Sequence, residues 1–112
     1  VQEMATLAEH NLDVTIVVLD NGALGMVRQQ QEILFDKNYS ASMYSKSPNL
    51  MKIAEGFGIE AVDVYTPNWN KIAFPKKGSG PRFVHCPIEM AELVLPFVPA
   101  GKANIEAICS ME

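Results

Sequence analysis

Two hydrophobic rhythms alternate along this chain. Val14 to Leu19 is a run of six residues, five of them apolar and most of those β-branched. Such a run predicts a strand buried on both faces, as in a parallel sheet, rather than a half-exposed one. Helical spacing surrounds it. Met4, Leu7 and Ala8 predict a helix over Gln2 to His10, and Met26, Val27, Ile33 and Leu34, set among long polar side chains, predict another from about Leu24 to Phe35. Ser47-Pro48 reads as a helix start, an N-cap hydroxyl followed by Pro at the first helical position. Leu50, Ile53, Ala54 and Phe57 are the expected buried stripe of that helix, with Gly56 or Gly58 at its end. Ile59 to Tyr65 predicts a second strand. Thr66-Pro67 opens a short helical stretch to Phe74, cut by Pro75, and Arg82 to Ile88 predicts a third strand. Asp36 to Ser47 and Lys76 to Pro81 read as loops, the latter basic and Gly-rich, and Glu89 to Glu112 reads as a mostly irregular tail. Strands separated by helices predict an α/β fold, an incomplete doubly wound parallel sheet.

Composition narrows the classes. A chain of 112 residues makes one domain that can bury roughly two thirds of its unfolded surface. Its apolar share of 48% and charged share of 20% are those of an ordinary globular protein. A net charge of −4 offers no basic face, which argues against nucleic acid as a partner. No apolar run approaches the ~18 residues of a membrane helix, and no signal peptide is visible. Cys86 and Cys109 match no zinc spacing and read as free thiols of a reducing, cytoplasmic environment.

The candidate chemistry lies where the first strand breaks. Asp20-Asn21-Gly22 is a turn tripeptide, and Gly25 opens the helix that follows. Strand, polar turn, Gly and helix place ligands at the carboxyl edge of an α/β sheet, and helix N–H groups there favour phosphate. A phosphate or metal–phosphate site over Asp20 to Gly25 is one reading, and a plain tight turn is the other. There is no Gly-x-Gly-x-x-Gly and no Walker-type Gly-Lys-Ser/Thr. Oxygens on Asp20 and Asn21 suit magnesium, which often shares its shell with a diphosphate. Elsewhere, His10 is expected to meet the last carbonyls of its helix, and Trp69 to be a packing anchor. Lys76-Lys77 reads as a solvated loop, with an anionic partner as the alternative. His85 stands beside Cys86 in a strand, with no acid partner apparent in the sequence to make a Cys–His nucleophile.

The stretch LDNGALGMVRQQQEILFDKNYS resembles the end of the thiamine-diphosphate-binding motif of the acetolactate synthase large subunit. That family reads Asn-Asn, three variable residues, Gly-Met-Val, one variable residue and Gln-Trp-Gln, with Arg/Lys-x-Tyr-Ser later. Gln2 to Thr6, Ser47 to Leu50 with Lys52 to Glu55, Gly80-Pro81, and Leu95 to Gly101 extend the resemblance over nearly the whole chain.

The resemblance implies a thiamine-diphosphate- and magnesium-dependent acetolactate synthase. Such an enzyme decarboxylates pyruvate and ligates the two-carbon unit to a second 2-keto acid, in branched-chain amino acid biosynthesis. By family pattern Asn21 supplies a side-chain oxygen to magnesium and Ala23 its backbone carbonyl. Gly25 lets the backbone approach the diphosphate, and Met26 faces the thiazolium or substrate channel. Asp20 stands where the family has Asn, so it either tightens the cation or faces the helix cap. Gln30 stands where the family carries the Trp that lines the second keto-acid pocket, which puts a preference for 2-ketobutyrate over pyruvate in doubt. The stretch from Pro67 to Gly80 is also shorter in helix than the family's. The Gly-Asp-Gly segment of these enzymes, with its magnesium-binding Asp, is not in this sequence. Residues 1–112 therefore read as a C-terminal fragment of a thiamine-diphosphate-binding domain, with 89–112 as its tail and no catalytic acid or base of its own, and inactive in isolation. Full-length relatives imply a homodimer or tetramer, a regulatory small subunit, and FAD bound mainly outside this region. Another thiamine-dependent 2-keto acid decarboxylase and a non-catalytic α/β interaction module are the alternatives.

Overall fold

The computed structural model describes residues 1–110. In chain order the elements are α1 (Glu3–Glu9), β1 (Thr15–Asp20), α2 (Gly25–Leu34), α3 (Leu50–Gly56), β2 (Glu60–Asp63), α4 (Trp69–Ala73), β3 (Arg82–Pro87) and a 3-10 turn at Asn104–Glu106. They fall into two units, Val1–Asn21 with Lys46–Ile88, and Gly22–Ser45 with Glu89–Glu112.

The first unit carries the sheet. Its order is β1-β3-β2 and every pairing is parallel, with Val18 and Asp63 on either side of His85. This is the expected α/β, parallel architecture. Side chains alternate between faces along each strand. Ile16, Phe83 and Ala61 share the face covered by Met4, Leu7 and Ala8 of α1 and by Leu50, Met51, Ala54 and Phe57. Val62 and Val84 share the other face, closed by Trp69, Ile72 and Ala73 of α4.

β1 departs from the sequence expectation. Val17 is 53% and Leu19 65% exposed, so the strand is not buried on both faces. It is the edge of the described sheet, and the second core cluster is built from β2, β3 and α4 without it. β-branched composition signals a strand without telling whether both faces are covered.

α3 begins two residues later than predicted. Asn49, not Ser47, is the N-cap: its side-chain oxygen accepts from the Lys52 N–H at 2.9 Å and its carbonyl from Ile53 N–H at 3.1 Å. Gly58, at φ 78°, turns the chain out of the helix while its N–H donates to the Glu55 carbonyl, and Ile59 follows as a buried core residue.

In the second unit α2 is gripped from within. Gln29 is 2% exposed; its Nε2 donates to the Val94 carbonyl at 3.0 Å and its Oε1 accepts from the Val94 N–H at 2.7 Å. The tail is irregular as expected, apart from an antiparallel Phe97–Ile108 pairing and the 3-10 turn. Its last two residues lie outside the described residues. No helix among the described residues is long and apolar enough to cross a membrane.

Candidate functional site

Each predicted site residue has a definite place. Asn21, half-buried, closes the first unit just past β1. Gly22 follows at φ 65°, a conformation that costs a residue with a Cβ but not glycine. Ala23 then pairs with Met43 in an antiparallel bridge. The flanking bonds fix which way Ala23 faces: Leu24 N–H donates to the Ser42 carbonyl at 2.8 Å and Tyr44 N–H to the Gly22 carbonyl at 3.1 Å. This is the non-hydrogen-bonded type of pair, in which the paired residues' own N–H and C=O groups point away from the opposite segment. The Ala23 carbonyl is therefore turned to the side away from Met43.

Leu24 is the N-cap of α2, with its carbonyl accepting from Arg28 N–H at 2.9 Å and no side chain capping the helix. The first turn, opened by Gly25, holds no acidic residue. Leu24 cannot accept a hydrogen bond through its side chain, and backbone N–H groups at a helix start are the kind of donors that suit an anion. Met26 is 48% exposed, and Gln30, one turn on, is exposed too. Spacing of four puts the two on one helix face.

Sequence reasoning missed a cluster at the carboxyl end of the sheet. His85 Nδ1 lies 2.7 Å from Asp63 Oδ2, and its Nε2 lies 3.1 Å from Asp20 Oδ2. Asp63 Oδ1 in turn accepts from the Tyr65 N–H at 2.8 Å. Parallel register produces this arrangement, since Asp63 pairs with His85 across the sheet and Asp20 lies two residues past Val18, on the same face. Residue parity within the predicted strands was the available signal, but register is needed to use it. The expectation that His85 has no acid partner is thus corrected. With both ring nitrogens held by carboxylates, and Cys86 on the opposite face by alternation, no Cys–His nucleophile forms. Asp20 is engaged with His85. Burial pushes the imidazole pKa down, but the bonds to Asp63 and Asp20 outweigh it and the net shift is upward. The Tyr65 N–H, and then His85, hold Asp63 below the usual carboxylate range. A cavity of about 290 Å³ opens beside this cluster, lined in part by Asp20, His85, Ser47, Asn49 and Met51.

The Lys76 to Pro81 loop has an internal anion. Asp13 accepts from Gly78 N–H at 2.6 Å and from Gly80 N–H at 2.9 Å, and these two bonds lower its pKa. Trp69 is the expected anchor, packed on the second core cluster and tilted against Phe74 at 6.4 Å. His10 is the C-cap residue of α1.

Among the described residues no three His, Cys, Asp or Glu side chains gather as a metal site. Asn21 and Ala23 carry an amide and a backbone carbonyl oxygen, hard donors of the class that magnesium accepts.

The family model described as thiamine pyrophosphate enzyme, C-terminal TPP binding domain, matches residues 1–86. The chain is 39% identical to the acetolactate synthase isozyme 1 large subunit of Escherichia coli (strain K12), over 96% of this chain and 20% of that protein. It is 34% identical to the isozyme 2 large subunit of the same organism, over 96% of this chain and 20% of that protein. It is also 34% identical to the acetolactate synthase large subunit of Lactococcus lactis subsp. lactis (strain IL1403), over 96% and 19%. The chain spans about one fifth of the length of these curated relatives.

Proposed function

Because the chain belongs to the thiamine pyrophosphate enzymes, as their C-terminal TPP-binding domain, we propose that it holds the magnesium–diphosphate end of thiamine diphosphate in an acetolactate synthase. The observation that carries this reading is the junction between β1 and α2. A glycine-permitted turn, a carbonyl turned away from its bridging partner and a helix start with no side-chain cap follow one another within Asn21 to Gly25. Asn21 contributes its side-chain oxygen and Ala23 its carbonyl to magnesium. Gly25 and the first N–H groups of α2 receive the diphosphate, with no side chain between backbone and phosphate oxygens. Thiamine diphosphate, when bound, supplies carbanion stabilisation for decarboxylating a 2-keto acid.

The chain's own residues bind, orient and screen. Met26 and Gln30, on the exposed face of α2, line the channel for pyruvate and the second 2-keto acid. The Gln30 amide is smaller and more polar than the family's indole, which puts a preference for 2-ketobutyrate over pyruvate in doubt. Residues 1–112 form the C-terminal part of the cofactor domain, with 89–112 as its tail. The acid–base group for the cofactor and most of any FAD site belong to other parts of the full-length enzyme. That enzyme would be a cytoplasmic dimer or tetramer with a regulatory small subunit.

The test is the product made from pyruvate by the full-length enzyme that carries this chain. Acetolactate, formed only with both magnesium and thiamine diphosphate present, is the expected result. Acetaldehyde as sole product would point to a decarboxylase, and no cofactor-dependent product would overturn the reading.

A further inference from the structure

We infer that Gln31 is a positioning residue for the magnesium–diphosphate loop, acting through a two-point amide clamp on Ser40 that sets the carbonyl of Ala23. The inference rests on the role proposed for Ala23 above. The contacts run in sequence within one unit of the chain. Gln31 Nε2 donates to the Ser40 carbonyl at 2.9 Å, and its Oε1 accepts from the Ser40 N–H at 3.3 Å. One bond would leave Ser40 free to pivot; two bonds to the same residue fix both of its peptide groups.

Ala41 comes next, at φ 52°. A residue with a Cβ holds that left-handed conformation only when its surroundings over-determine it. Here they do. Ser40 is gripped by Gln31 on one side, and on the other the Ser42 carbonyl and the Tyr44 N–H bond to Leu24 and Gly22. Ser42 itself is 1% exposed. The segment from Ser40 to Tyr44 is thus tied at one end to the second turn of α2 and at the other to the residues flanking Ala23. Arg28 and Tyr39 reinforce it, with the guanidinium 5.2 Å from the ring centroid and ion-paired to Glu32 at 2.8 Å.

The Gln29-Gln30-Gln31 run divides accordingly. Gln29 grips Val94 and Gln31 grips Ser40, while Gln30 between them is exposed.

The test uses the full-length enzyme and compares Gln31→Ala, Gln31→Glu and Asn21→Ala with the parent. Two readouts are taken: the magnesium concentration for half-maximal thiamine diphosphate binding by calorimetry, and hydrogen exchange of peptides spanning 22–26 and 42–44. Gln31→Ala is expected to raise the magnesium midpoint about tenfold, the usual scale for a group that orients a metal ligand, and to speed exchange in both peptides. Gln31→Glu keeps the acceptor for the Ser40 N–H and is expected to fall between Gln31→Ala and the parent. A Gln31→Ala midpoint equal to the parent's, beside a raised Asn21→Ala midpoint, overturns the inference and leaves the site reading standing. Parental midpoints for both variants overturn the site reading and the inference with it.

Discussion

The Ser42 hydroxyl is sealed from solvent, and among the described residues no partner meets it. A buried, unmet polar group costs about 1–3 kcal/mol. Ser42→Ala removes that group while the Ser42 carbonyl still accepts from Leu24, so the variant is expected to be more stable by about 1 kcal/mol in urea unfolding. A loss of stability would mean that the hydroxyl has a partner after all. His85 gives a pH signature. Its folded pKa is raised, so its pairing stabilises fully below the unfolded value of about 6.5 and fades as pH rises through the folded value. Asp63 is lowered, so its share is present above about 3.9 and fades on acidification. Melting temperature is therefore expected to fall as pH rises above neutrality, and His85→Gln to flatten that slope. A slope that survives in His85→Gln would assign it elsewhere. None of these side-chain relations was legible beforehand. His85 stands 65 positions from Asp20 and 22 from Asp63, and only strand register brings them together.

At the level of elements the sequence was more readable. Three strands, four helices and the two loops lie within a few residues of their predicted places, because apolar periodicity and turn chemistry act locally. Two errors share a cause. Ser47 and Asn49 are both competent caps, and the choice fell to Asn49, whose side chain reaches the Lys52 N–H. β1 shows an apolar run whose second face the described elements do not cover. Local pattern names the element; its neighbours decide the cap and the burial. Asn49→Ala is expected to cost about 1 kcal/mol by thermal or urea unfolding, and Ser47→Ala to cost nothing measurable. Equal losses would restore the earlier helix start.

For the molecule as a whole, family membership was legible because the resemblance runs through most of the chain rather than through one motif, and the family model covers residues 1–86. Which way Ala23 faces and where α2 starts were not legible. Both follow from contacts with Ser42, Tyr44 and Arg28. The chain spans about one fifth of its curated relatives, so its role is tested in the full-length enzyme. The most direct measurement is calorimetric titration of thiamine diphosphate, with and without magnesium, into that enzyme and its Asn21→Ala variant. The expected result is magnesium-dependent binding in the parent and affinity lowered at least about tenfold for cofactor and metal together in the variant. Unchanged, magnesium-dependent binding in Asn21→Ala would contradict the assignment of this turn to the metal.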